Sequence, residues 1–340
     1  GSYGDIATAI DEVMEQGLRP CHMGNIHTAE QGGARILSTP PWYAYLRIAE
    51  GCDNRCAYCA IPYIRGKFRS RPMEELVKEA KHLESLGAVE INIIAQDITR
   101  YGVDLYGKYS LAPLLRALTD ATESVRFRLL YCYPDKVTDE LIAEIRDNDR
   151  VIKYIDMPLQ HISDRMLKAM NRHGDGAMIR TVIEKLRREI PDITIRTTFI
   201  TGFPGESEED FTELCEFVKE TRFDRLGVFP YSREEGTPAY DLPDQIDEQV
   251  KQDRADIIMQ AQLRISEEKN EAMVGKRIRV IVEDYDTVSK THFGRSDADA
   301  PEIDGKVYFS APYRISGGST LFVEIKEVLD YDLFGVAVVE

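Results

Sequence analysis

Residues 50–62 read EGCDNRCAYCAIP and set three cysteines, Cys52, Cys56 and Cys59, in the spacing CxxxCxxC. A structural zinc site takes four closed ligands, commonly as two paired half-sites, and no second CxxC or HxxxH pair follows. An iron–sulfur cube takes one thiolate per iron. Three thiolates therefore hold three irons and leave the fourth open to a small molecule. An open iron is what a cluster needs in order to ligate a substrate and pass it one electron. Cys21, Cys132 and Cys215 stand alone and read as small buried hydrophobes. Half of the six cysteines sit in one cluster, which points to metal or catalysis rather than to a disulfide framework.

Strand-like runs follow at regular intervals: 43–50, 89–98, 126–134, 154–160, 193–203 and 225–232. Between them lie helix-like segments such as PMEELVKEAKHLESLG, which opens with Pro and closes on Gly. Strand then helix, repeated about six times, predicts parallel strands with right-handed crossovers. Six units are too few for a closed eight-fold barrel. The expected fold class is α/β, a partial (βα)6 barrel, with a doubly wound sheet as the alternative. The cysteines then fall in the loop after the first strand, at the face where such barrels gather their active sites. Gln96, Gln160 and Thr198 lie at strand ends and are polar in otherwise apolar runs, so burial without a partner would be costly.

After Pro243 a long charged amphipathic helix leads to short β runs without helices, RIRVIVEDY, KVYFSAP and STLFVEIKEVLDYDLFGVAVVE. A small all-β barrel is the expectation there. The domain reading is 1–40 connector, 41–272 barrel with linker helix, and 273–340 small barrel. Net charge is −16, which argues against a surface built mainly to grip nucleic acid. The sequence has no apolar run near the length of a membrane span, and residues 1–17 are polar and acidic, so a cytoplasmic enzyme or binding protein is the default.

CxxxCxxC with Tyr58 before the last cysteine resembles the signature of radical S-adenosylmethionine (SAM) enzymes. IPYIRGKFRSRP, EINIIAQDITRYG, DMPLQHISDRMLKAMNR, TTFITGFPGESEEDF and FPYSREEGTPA look like the methylthiotransferase branch of that family. The resemblance covers nearly the whole chain. It implies a radical SAM barrel, with a 4Fe–4S cluster on Cys52, Cys56 and Cys59 whose open iron is chelated by SAM. It also implies a SAM pocket lined by Tyr58, Gln96, Gln160, Arg196 and Thr198. His161 is read as structural, and GFPGES, taken alone, as a turn feeding a capped helix.

The C-terminal β segment resembles the TRAM domain of the same family. Residues 275–340 hold eight Lys/Arg against twelve Asp/Glu, a poor sign for phosphate binding. GRSDADAPEIDGKV resembles the branch that acts on a ribosomal protein, S-twelve of the small subunit, at the β-carbon of an aspartate. Asp297, Asp299, Glu302 and Asp304 are the expected contacts for that basic partner. A reductant such as flavodoxin or ferredoxin is the second implied partner. Full-length relatives carry an N-terminal domain whose three further cysteines hold an auxiliary 4Fe–4S cluster. No such cysteines occur here, so the expectation is a fragment lacking that domain. The rival readings are a tRNA adenosine methylthiotransferase and a non-catalytic, cluster-containing binding module.

Overall fold

Six strands form one parallel sheet. In chain order β1 is Tyr43–Arg47, β4 Glu90–Ile94, β5 Arg126–Leu129, β6 Val151–Gln160, β7 Thr194–Thr201 and β8 Arg225–Pro230. The spatial order is β1-β4-β5-β6-β7-β8, as successive crossovers require. A short antiparallel pair, β2 (Ala49–Glu50) with β3 (Arg69–Ser70), ties the chain together on either side of the cysteine loop. The computed structural model describes residues 3–21, 24–26 and 36–338.

Alternation along each strand gives the sheet two different faces. Ala44, Leu46, Ile91, Ile93, Phe127, Leu129, Ile155, Ile195 and Phe199 point outward into one apolar cluster. The helices Met73–Ser85, Leu111–Ala121, Asp139–Asp147, Gly176–Glu189 and Glu208–Thr221 cover that cluster with Leu76, Leu115, Ile142, Ile183 and Leu214. Their starts are set by short polar side chains. Thr138 accepts from Leu141 N, Asp175 from Met178 N, and Ser207 forms a reciprocal capping box with Asp210.

The inner face is polar and basic instead, carrying Arg126, Arg128, Tyr154, Asp156, Arg196 and Arg225. One segment, Arg295–Asp304, reaches all six strands from within. It touches Tyr43 on β1, Glu90 on β4, Arg126 and Arg128 on β5, Tyr154 on β6, Arg196 on β7 and Arg225 on β8. A sheet that meets one short segment along all its strands must curl around it, so this is an open partial barrel.

The helix Glu248–Glu271 packs on β8 and on Glu208–Thr221, then delivers the chain to the small barrel. That barrel is closed, in the order β10-β11-β13-β12-β9. Its strands are β9 Arg277–Asp286, β10 Thr291–Ser296, β11 Val307–Ser310, β12 Thr320–Leu329 and β13 Asp332–Val338. Val280, Val282, Val307, Phe309, Val323, Ile325 and Leu333 fill it.

Some expectations change. β10 was not anticipated, since THFGRS carries too little apolar alternation to announce a strand. The run from 319 onward is not one strand but a hairpin, turned at Asp330 with φ +50°. The first strand breaks at Ile48. Cys21 is exposed, not buried; Cys132 is buried and Cys215 half-buried. The helix Ile6–Gln16 buries none of its residues. Much of the 1–40 connector, residues 22–23 and 27–35, lies outside the described residues.

Candidate functional site

The cysteine loop starts at Gly51, whose φ of +80° suits glycine, and where a Cβ would stand 2.2 Å from the Lys67 carbonyl oxygen. From there the loop is sewn to three other segments. Cys52 N donates to Gly66 O at 3.2 Å, Ala57 N to Met170 O at 2.9 Å, and Ala239 N to Ala57 O at 2.8 Å. Asn54, almost fully buried, donates to Asp97 Oδ2 at 2.9 Å and so binds the loop to the end of β4. Inside it, Cys59 N donates to Cys56 O at 3.0 Å.

The thiols sit beside a half-buried cation. Arg172 Nη1 lies 3.9 Å from Cys56 Sγ and 3.4 Å from the Tyr58 hydroxyl, while Nη2 donates to Pro158 O. The guanidinium also covers the Tyr133 ring at 4.0 Å, and the Tyr133 hydroxyl is 3.3 Å from Cys56 Sγ. Burial pushes the Cys52 thiol up to about 11 and raises Cys59 as well. Both therefore keep their protons at neutral pH until a metal displaces them. Among the described residues no three His, Cys, Asp or Glu side chains are arranged to hold a single metal ion.

A cavity of about 800 Å³ opens against this loop. All three cysteines line it, together with Tyr58, Gln96, Gln160, Arg196 and Thr198. The five residues expected for a SAM pocket are thus brought to one wall system. Two of them are conspicuous: Gln96 Oε1 and Gln160 Oε1 are buried with no hydrogen-bond partner among the described residues. An unpaired buried acceptor costs about 1–3 kcal/mol, so each asks for a donor from a ligand. Gln160 also holds φ +73°, an αL conformation disfavoured for a side-chain-bearing residue, where the β6–β7 ladder is interrupted. A ligand with amino and hydroxyl donors, as SAM has, fits this wall.

Arg196 is less free than expected. Its Nη1 donates to Asp156 at 2.9 Å, and its Nε faces Asp304 at 3.4 Å. Burial alone would lower it, but the two carboxylates and Tyr154 outweigh that and raise it, so the guanidinium stays charged. Asn54, Tyr133, Asp156 and Arg172 belong to the site and were not singled out by sequence. Arg172 lay within a quoted stretch, DRMLKAMNR, but nothing in its spacing marked it.

His161 is structural, as read. Its Nε2 lies 3.1 Å from Glu206 Oε1, and its Nδ1 accepts from Ser163 N at 3.0 Å. Glu206 also accepts from Gly202 N and Arg254, which fixes the GFPGES turn; no residue of that turn lines the cavity.

The acids of DADAPEIDG need a correction. Asp299 is 1% exposed and accepts from Arg225 at 2.5 Å and from Ser296. Asp304 accepts from the Tyr154 hydroxyl at 2.7 Å. Asp297 pairs with Arg126, and Glu302 accepts from the Tyr43 hydroxyl at 2.9 Å. Asp299 and Asp304 are turned into the large barrel's arginine-lined interior, so neither presents its charge to an outside partner. The basic field they meet is the chain's own.

The Radical SAM superfamily signature matches residues 46–218, and the TRAM domain signature matches residues 274–338. The chain is 47% identical to a ribosomal protein uS12 methylthiotransferase RimO of Acetivibrio thermocellus, over 99% of this chain and 76% of that protein. The relative of the same name from Desulforamulus reducens is 48% identical, over 98% and 76%. Among solved structures, coproporphyrinogen III oxidase of Escherichia coli aligns with a TM-score of 0.50 at 17% identity, covering 68% of this chain and 54% of that one, a likeness of fold alone. A three-cysteine loop at the mouth of a parallel partial barrel, closed by a TRAM barrel, now stands beside this identity over almost its whole length: the chain belongs to the Radical SAM superfamily and, within it, to the family of the RimO methylthiotransferases.

Proposed function

We propose that the chain carries the hydrogen-abstracting part of a radical SAM methylthiotransferase acting on ribosomal protein uS12, an enzyme that replaces a β-hydrogen of an aspartate side chain with a methylthio group whose sulfur comes from an auxiliary cluster and whose methyl comes from a second SAM. The observation that carries the site assignment is the pairing of three thiols with two orphaned glutamine oxygens across one cavity. Cys52, Cys56 and Cys59 hold the 4Fe–4S cluster. When bound, cluster and SAM supply one-electron cleavage of the sulfonium and hence a hydrogen-abstracting radical.

The chain's own residues bind, orient and shield. Gln96 and Gln160 accept hydrogen bonds from SAM and fix its orientation. Arg172, half-buried beside Cys56, offsets the negative charge that three thiolates bring. Leu130, Ile200, Phe229 and Ile303 give the cavity apolar walls, which keep water and stray hydrogen donors from a reactive carbon. Among the described residues no helix is long and apolar enough to cross a membrane. A cytoplasmic location suits an enzyme of ribosomal protein, and a low-potential carrier such as flavodoxin or ferredoxin would feed it electrons.

The test uses anaerobically reconstituted, reduced chain with a uS12 peptide deuterated at the target β-carbon. Deuterium is expected in the 5′-deoxyadenosine formed, and replacing any one of the three cysteines with Ala should abolish cleavage. Hydrogen transfer from a tRNA stem-loop in place of the peptide would turn the assignment to the tRNA branch. No SAM cleavage at all would favour a binding module.

A further inference from the structure

We propose that the loop between β10 and β11, residues 297–304, is the floor of the ligand cavity, and that Asp304 is a positioning residue that aims Arg196 into it. The proposal rests on the SAM reading of the cavity and goes beyond it, because it assigns part of that site to the small barrel.

The loop occupies the barrel's interior. Ala300 is 1% exposed and packs with Leu130, Ile152 and Tyr154, residues of the inner face. Asp297 and Asp299 anchor it to Arg126 on β5 and Arg225 on β8. Asp297, Asp299 and Asp304 thus meet Arg126, Arg225 and Arg196, and the carboxylates of Asp299 and Asp304 are shielded from water, where attraction is strongest.

At the loop's far end Ile303 faces the cavity and its neighbour Asp304 stands behind the cavity wall. Ile303 lines the cavity, as Cys52 and Cys59 do. Asp304 stands behind Arg196. One of its oxygens, Oδ2, accepts from the Tyr154 hydroxyl at 2.7 Å and from Ala300 N at 2.9 Å. The other, Oδ1, faces Arg196 Nε at 3.4 Å. Arg196 is therefore clamped by two carboxylates of different origin, Asp156 from β6 and Asp304 from the small barrel. The direction of its guanidinium in the cavity depends on both.

Asp304→Asn separates these duties. The amide oxygen can keep the bonds from Tyr154 and Ala300, so the loop stays seated, while an NH2 group replaces the oxygen facing Arg196. In the reconstituted full chain the SAM dissociation constant is expected to rise about tenfold, the usual weight of one charge-assisted contact. Iron content should stay that of the wild type, and the melting temperature should fall by no more than about 4 °C. Ile303→Trp, which crowds the floor from the same loop, should likewise weaken SAM binding without loss of iron. An Asp304→Asn dissociation constant equal to the wild type's would overturn the proposal. So would a fall in affinity that only tracks lost iron and a lower melting temperature, since the role would then be structural. Absence of SAM binding by the wild-type chain would instead remove the reading of the cavity, and this proposal with it.

Discussion

Glu90→Gln tests what welds the two barrels. Glu90 opens β4 and is fully buried, yet it receives two arginines. Arg128 donates through Nε at 3.2 Å and Nη2 at 3.3 Å, and Arg295 of the small barrel through Nη1 at 2.8 Å. Arg128 is itself fully buried, covers the Tyr154 ring at 4.6 Å and donates to the Asp297 carbonyl at 2.8 Å. A glutamine keeps the shape but leaves two buried guanidiniums facing a neutral amide. Removing one partner of a buried ion pair costs about 3–5 kcal/mol, and the retained amide oxygen favours the lower end. With about 2.1 cal/mol/K of unfolding entropy per residue, 340 residues unfolding together have about 0.7 kcal/mol/K, so the melting temperature should fall by about 4 °C. The pH dependence has a definite sign. Burial raises the Glu90 carboxyl, but the two arginines outweigh it and hold the group below its ordinary value. Its stabilisation is therefore present above the unfolded value, about 4.3, and is lost as the pH falls through the folded one. Calorimetry should find a constant gap between wild type and variant from neutral pH down to about 5, narrowing under stronger acid. A shift below about 1 °C at neutral pH, or a gap that widens in acid, would refute the reasoning.

Three further outcomes follow from local geometry. Gly51→Ala drives a Cβ to 2.2 Å from the Lys67 carbonyl, so the cysteine loop must shift, and reconstituted iron per chain should drop steeply while the far-UV spectrum stays the same. Gln160→Gly relieves the αL backbone at φ +73° and deletes an orphaned acceptor; stability should rise by up to about 1 kcal/mol while SAM affinity falls about tenfold, measured by calorimetry and equilibrium dialysis. Asp210 accepts from Ser163 Oγ, Ser207 N and Arg165, which overcome its burial and hold its carboxyl well below the usual range. Asp210→Asn should therefore cost about 1 kcal/mol at neutral pH and progressively less as the pH falls below about 3.9, seen as converging denaturation midpoints.

Period and punctuation made the large barrel legible in the sequence. Apolar alternation marked all six strands, and Pro, Ser, Thr or Asp marked the helix starts. The strand ends were overrun because the runs continue past the ladder: VEINIIAQDI stays apolar and polar by turns to Ile98, but pairing stops at Ile94. The three cysteines were legible because the spacing of soft ligands is itself chemistry. Gln96, Gln160 and Thr198 were found by being polar where a strand should be apolar, and the structure lines one cavity with them. Arg172 and Asn54 were not found. Their duty is set by what lies across space, Cys56 and Asp97, and a single sequence carries no mark of that. β10 was missed because it carries Gly294, Arg295 and Ser296, whose burial depends on the docking of the two barrels rather than on local pattern.

The acidic loop shows how a charge count can mislead when pairing is intramolecular. Taken over residues 275–340, acids outnumber bases, and a basic partner seems invited. Four of those acids meet Arg126, Arg225, Arg196 and the Tyr43 hydroxyl of the large barrel, and Arg295 in turn is spent on Glu90 and Glu283. The tyrosine hydroxyl is neutral, so setting aside Asp297, Asp299, Asp304 and Arg295 leaves seven Lys/Arg against nine Asp/Glu, and the small barrel's remaining charge is only slightly negative. Long-range attraction by this barrel therefore cannot be what selects a ribosomal protein over RNA. Exposed pairs at such balance contribute little and are screened within about 8 Å at physiological salt. The cavity mouth offers selection at short range, by shape and apolar contact, where Tyr131 and Phe229 are exposed beside the thiols. The acidic loop then serves recognition indirectly. On the proposal made above, the loop fills the barrel from below and so sets the depth of the cavity, with Ile303 on its wall.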